Sequence, residues 1–271
     1  ENAAKTAEKT SPKHDAINKK TAESDAKWST KLGGHVQLDY ITWANADEAI
    51  PDTDNYFSYR RLRLVADGTG YGQFDFRLQV TLEPGLGPAT SIYASAEVKD
   101  AYLSMNDIPI IGRVRFGNFF VPFSLEQVTN DTNNIFNERS IPSENIFAAS
   151  REVGFAIYNA TDSEAVTWAG GMFFDNINDT VKTRLDDNQG YRLSSRLTCL
   201  PYYDEASGGR YLLHTGIGIL HTDDHDNLVR FQARPQIQRG PVLIDSGQIP
   251  ADAYTTGNLE LACVWGPVAI Q

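Results

Sequence analysis

Between Gly72 and Glu83 the chain reads GQFDFRLQVTLE, and every second residue is polar. Gln73, Asp75, Arg77, Gln79, Thr81 and Glu83 alternate with Phe74, Phe76, Leu78, Val80 and Leu82. Successive strand side chains point to opposite faces. The segment therefore predicts a strand with one wholly polar and one wholly apolar face. Such a strand suits a half-buried sheet in water. It equally suits the wall of a transmembrane barrel, with lipid on one side and water on the other.

The same alternation recurs along the chain. Residues 35–42, 57–67, 92–105, 110–120, 151–160, 165–175, 191–200, 211–222, 228–235 and 257–266 read as further strands, and 268–271 as the beginning of another. One helix candidate lies inside 121–150. The connections alternate in length. Those at 68–72 and 107–109 are short, whereas 44–55, 85–91, 121–150, 176–189 and 246–256 are long. Short turns at one rim and long loops at the other mark an outer-membrane barrel; a sandwich does not require them. Strands near 10 residues also suit a tilted membrane crossing better than a soluble sheet.

Composition narrows the reading. No apolar run approaches the roughly 18 residues of a membrane helix, which excludes helical spanning and leaves barrels open. The net charge of -11 argues against a nucleic-acid partner. Cys199 and Cys263 lack metal-ligand spacing and fall on apolar strand faces. Residues 1–30 are rich in Lys, Ala and Thr and read as a flexible or weakly helical leader, periplasmic if the chain is a barrel.

If the apolar faces meet lipid, the opposite faces line water. They carry Arg61, Arg63, Arg77, Arg113, Arg115, Arg192, Arg196, Arg230 and Arg234. Strict alternation puts Arg60 on the other face, at a rim or a subunit contact. Arginine offers a planar fork of donors to phosphate and carboxylate oxygens, and rings of Arg or Lys select anions in pores. The competing reading pairs these arginines with acids on the same faces, such as Asp39, Asp75, Glu83 and Asp100. The run HTDDHDN at 221–227 places His221, Asp223, Asp224 and His225 together, but without a glycine-defined loop or second ligand pair it reads as a solvated loop. No nucleophile, acid–base pair or cofactor fingerprint stands out, so neither an enzyme nor a bound cofactor or metal is expected.

FSYRRLRLVADGTGYGQFDFRLQV, VKDAYLSM and VRFGNFFVPFSLEQVTNDTNNIFNERSIP resemble the phosphate-selective porin O and P family of bacterial outer membranes. VRFQARPQIQRG is similar to that family's arginine-rich strand, and LELACVWGPVAIQ to its following hairpin. The resemblance covers 31–271. It implies an all-β, transmembrane antiparallel barrel of sixteen strands, a homotrimer, and a constriction made by an inward-folded loop. On this chain it makes Arg60 and Arg61 the paired arginines and Arg234 and Arg239 two arginines of the later strand. It also places Glu126, Gln127, Thr129 and Asn130 in the constriction loop at 121–150. The family's loop lysine is Gln127 here, and Gln232 and Gln236 stand where phosphate-specific members keep arginines. Lost cations mean lost charge-assisted bonds, about 1.5–3 kcal/mol each. With about eleven to twelve strands against sixteen, the barrel in 31–271 is expected to be incomplete at its C-terminal side.

The function expected is passive diffusion of small anions, phosphate among them, through an arginine-lined lumen in contact with outer-membrane lipid. The alternatives are a porin for carboxylates or neutral nutrients, a soluble all-β binding module with a polar concave face, and a barrel whose main role is structural, attaching its Lys-rich leader to envelope partners.

Overall fold

The computed structural model describes residues 27–45, 50, 53–83, 96–147, 149–174, 190–224, 226–237 and 240–271. Eleven antiparallel strands form one sheet. In chain order these are β1 (Trp28–Ile41), β2 (Tyr56–Gly70), β3 (Phe74–Thr81), β4 (Glu97–Ile108), β5 (Gly112–Phe120), β6 (Arg151–Ala160), β7 (Val166–Phe174), β8 (Tyr191–Tyr203) and β9 (Tyr211–Asp223). The short β10 (Leu228–Val229), β11 (Gln232–Ala233), β12 (Ile244–Asp245) and β13 (Ile249–Pro250) follow, then β14 (Ala253–Trp265) and β15 (Val268–Ile270). The sheet order is β1 through β9, then β14 and β15, each strand beside its neighbour. The sheet is not closed: β1 and β15 are its two edges. The leader reading for 1–30 falls outside the described residues except where β1 begins at Trp28.

The alternation at β3 behaves as its sequence requires. Gln79 and Thr81 are buried, while Leu78 is exposed. Elsewhere the faces invert the order of a soluble protein. Leu32 is 79% exposed, Phe57 72% and Leu259 84%, whereas Arg61 is 2% exposed and Ser104 fully buried. Exposed Val36, Leu64, Leu103, Phe116, Ile157, Leu197 and Ile219 continue the apolar surface across the sheet. A patch of that extent is far beyond what a soluble monomer shows to water, and it disfavours the soluble-module alternative. Aromatic residues gather at both rims: Trp28, Tyr71, Tyr211 and Trp265 at the short-turn rim, Tyr40, Phe57 and Tyr191 at the other. Such girdles sit at membrane–water interfaces. Among the described residues no helix is long and apolar enough to cross a membrane.

Two elements depart from the sequence expectation. The segment 228–235 alternates but is not a wall strand. β10 pairs with β13 and β11 with β12, so it belongs to the long connection between β9 and β14. Secondly, β2 carries a bulge. Gln37 pairs with Arg61 and Leu38 with Tyr59, which leaves Arg60 as the extra residue. A bulge turns two consecutive side chains to one face, and Arg60 and Arg61 are both buried. Arg60 is therefore on the inner face with Arg61, not on the opposite face that strict alternation gives.

The connection 121–150 folds against the inner side of the sheet. Val121 and Phe123 are buried with Phe119, Ala149, Ala156, Phe173 and Leu220 in an apolar cluster. The Ser194 hydroxyl of β8 bonds the Pro122 carbonyl. On β9, a Cβ at Gly218 would stand 2.1 Å from the Phe123 carbonyl oxygen. Only glycine lets the wall and this segment come so close. The glycines of TGIGIL, which carry no nucleotide fingerprint, thus have a packing role.

Candidate functional site: the inner arginines and the 121–150 segment

The inner faces of five strands bring guanidinium groups together, and most meet acids. On β2, Arg60 grips Glu138 with two prongs, Nε to Oε1 and Nη2 to Oε2, the latter at 2.6 Å. Arg61 lies 3.0 Å from Asp131 Oδ2 and 3.4 Å from Glu138 Oε2, and it also donates to Gln37. Arg63 donates to Asp131 and stands 3.5 Å from Glu83. His35 of β1 approaches Asp131 at 3.6 Å. Asp131 and Glu138 both come from 121–150, so this segment is fastened to β1 and β2 through charge.

Its own architecture is local. Ser124 caps the one-turn helix α1 (Leu125–Val128) by accepting from the Gln127 backbone N–H. Glu126 accepts from the Ser140 N–H at 2.7 Å and from its hydroxyl. Burial alone pushes the Glu126 carboxyl up, but the hydroxyls of Ser140 and Ser143, the Ser140 N–H and Arg139 together hold it below its ordinary value. Arg139 donates 2.9 Å bonds to the carbonyls of Glu126 and Thr129, closing the end of the helix. Thr129 turns its hydroxyl back to Leu125, and Asn130 accepts from the Thr132 N–H. Gln127 is 3% exposed, and its Oε1 is buried without a hydrogen bond.

Deeper along the wall, Arg77 of β3 lies 3.2 Å from Asp67 and 3.4 Å from Asp100. Arg151 of β6 binds Asp100 at 2.8 and 3.3 Å and lies over the Phe120 ring at 3.7 Å. Arg192 pairs with Glu152 and donates to Thr222 at 2.8 Å. Arg196 grips Glu260 at 2.7 and 2.8 Å, and His214 reaches the same carboxylate at 2.9 Å. Arg113 and Arg115 are more loosely held, 3.8 and 4.0 Å from Asp75. Under the 121–150 segment, on its short-turn side, Arg77, Arg115, Arg151 and Arg196 border a cleft of about 310 Å³ with Tyr102, Tyr158 and Phe119.

The remaining predicted residues lie elsewhere. Arg230 is in the β9–β14 connection, exposed, and paired with Asp245 at 2.9 Å, which holds that carboxyl well below the usual range. Arg234 is half-buried beside β11 and makes no ion pair with a described residue. This connection meets the 121–150 segment, for Gln236 donates to the Arg139 carbonyl at 3.1 Å and the Phe147 and Phe231 rings are 5.9 Å apart. Arg239 and His225 lie outside the described residues. His221 bonds Thr255 at 2.9 Å, and among the described residues no group of His, Cys, Asp or Glu could hold a metal ion.

Sequence reading missed Arg139 and Arg151, and the acids Asp131 and Glu138 as partners. Their signals are present. NDTNNIFNERS mixes acids and arginine in a loop, and Arg151 opens a strand whose next inward residue is Glu152.

A family model described as "Phosphate-selective porin O and P" matches residues 30–271. Porin O of Pseudomonas aeruginosa is 22% identical over 239 residues, which cover 88% of this chain and 51% of that protein. The chain thus spans about half the length of the curated relative it matches.

Proposed function

The chain belongs to the phosphate-selective porin O and P family of bacterial outer-membrane proteins, and on that footing we propose that it passes small anions by passive diffusion. The path runs along the inner arginines and is narrowed by the 121–150 segment. The outward apolar faces meet lipid, and the protein works as a homotrimer, as the family resemblance implies. One observation carries the reading: guanidinium groups from β2, β3, β5, β6 and β8 converge on the face opposite the exposed apolar side chains.

The acids refine it. A pore must bind its ion well enough to admit it and weakly enough to release it. An arginine already bonded to a carboxylate trades that partner for a passing anion at little net gain. A series of such arginines makes shallow wells in place of one deep trap. Gln127 supplies no charge at the family's lysine position. Both features favour a general anion pore with weak affinity for phosphate.

Planar-bilayer recording of the complete protein in a potassium chloride gradient tests the reading. The reversal potential is expected to show chloride preference, and millimolar phosphate to block the current only weakly. A cation preference overturns the anion pore.

A further inference from the structure

We infer that the cleft beneath the 121–150 segment is a binding station for small planar carboxylates, with Arg115 as its charged anchor and Tyr102 and Tyr158 as its walls. The inference rests on the anion-pore reading and names a solute class for it.

Charge singles out Arg115. In the same cleft Arg151 holds Asp100 at 2.8 Å and Arg196 holds Glu260 at 2.7 Å. Arg115 gives its Nε to a neutral hydroxyl, Ser104 Oγ at 3.0 Å, and the carboxylate nearest to it, Asp75, stays 4.0 Å away. That separation is beyond hydrogen-bond range, so the terminal nitrogens of Arg115 keep donors that no carboxylate fills.

Shape defines the guest. The Arg115 Cζ lies 3.9 Å from the centre of the Tyr102 ring, with the Tyr158 and Phe119 rings at 5.3 and 5.4 Å. Stacking fixes the guanidinium plane, and its donors then point out along the edge of that plane. A carboxylate meets such an edge with two parallel bonds. Phosphate is best held by several donors converging from different directions, and here the other three arginines already hold acids. Phe119, Phe120, Val128 and Trp168 add apolar lining, beside the polar Gln79, Asn130, Asn159 and Thr167 and the Arg151-paired Asp100. Rings offer a bare inorganic ion nothing in exchange for its water, but they cover the flat apolar body of an aromatic carboxylate. A volume of about 310 Å³ is at the lower end of ligand-sized cavities and suits a single-ring anion.

Chloride currents through the complete protein in planar bilayers, with benzoate, acetate and phosphate added in turn, test this. Benzoate is expected to block at a concentration about tenfold below acetate or phosphate, and Arg115→Gln to weaken its block about tenfold while changing phosphate block less than twofold. Benzoate no more potent than acetate or phosphate in the unmodified protein overturns the inference without any variant. So does Arg115→Gln weakening benzoate and phosphate block equally. Arg115→Lys keeps the charge and loses the planar fork; it is expected to restore less than half of the benzoate affinity, and full restoration overturns the carboxylate geometry. The reversal potential recorded in the same membranes reports on the anion pore separately, so an unmodified protein that prefers chloride but shows no benzoate selectivity refutes the station alone.

Discussion

Arg60 and Glu138, 78 residues apart in the chain, meet through two parallel bonds on the inner face of the sheet. The contact exists because a bulge turns Arg60 inward beside Arg61 and because 121–150 folds back to deliver Glu138. It places a resident carboxylate on the very arginines that the family resemblance assigns to the passing anion.

Removing that carboxylate's charge is expected to sharpen anion binding. Glu138→Gln keeps an acceptor for Arg60 and frees its charge for a mobile ion. Charge-assisted bonds contribute about 1.5–3 kcal/mol, so phosphate block should strengthen about tenfold (about 1.4 kcal/mol). Block titrations in bilayers check it; unchanged block would show that the permeating ion does not visit Arg60.

The tie between Asp131 and β1–β2 makes stability depend on pH with a defined sign. Burial pushes the Asp131 carboxyl up, but Arg63, Arg61 and His35 pull it further down, and it ends below its ordinary 3.8. A depressed carboxylate contributes stability that is fully present above its unfolded value and lost as pH falls through the folded one. The temperature at which the heat-modifiable band shifts on detergent gels should therefore fall when pH drops below 3.8. Asp131→Asn should lower that temperature at pH 7 and flatten the acid dependence.

Gly218 controls how closely 121–150 can approach the wall. Gly218→Leu puts a Cβ 2.1 Å from the Phe123 carbonyl oxygen, and overpacking of this kind costs about 1–3 kcal/mol. The segment should be displaced inward or outward as a whole. Protease cleavage after Arg139 should rise several-fold, with a changed single-channel conductance. A variant with unaltered conductance and cleavage would mean that the contact at Phe123 does not position the segment.

Cys199 and Cys263 lie in outward register on β8 and β14, with Leu197 and Leu261 two residues before them exposed. In liposomes both should react with a lipid-soluble maleimide and resist a charged one. Reaction with the charged reagent before the protein is solubilised would put these faces in water and reverse the assignment of the two sides.

Much of this fold is legible because a barrel wall writes itself as a period of two. β3 shows the alternation without interruption, β8 keeps it over 192–199 apart from Ser195, β14 keeps it over 258–263, and the lengths of the connections separate the rims. The Arg60 bulge is harder. It is a single extra residue, and its sequence trace is only the adjacent pair of arginines in YRRLRL, where the period requires one polar residue. The segment 228–235 misleads for the opposite reason. Alternation records that a chain is extended between unlike surroundings, and the short pairs β10–β13 and β11–β12 supply those surroundings away from the wall. The ion pairs are legible least. Asp131 and Glu138 meet β2 only through folding of 121–150, and no local period encodes which arginine a loop acid reaches.

The ends and the middle of the 121–150 segment are held by unlike means. Near its start, Val121 and Phe123 are clasped by Phe119, Phe173 and Leu220; further on, Asp131 and Glu138 are tethered to Arg60, Arg61 and Arg63. The first hold is indifferent to acid, and the second weakens when Asp131 takes up a proton. Protonation of Asp131 therefore loosens the middle of the segment and leaves its apolar root untouched.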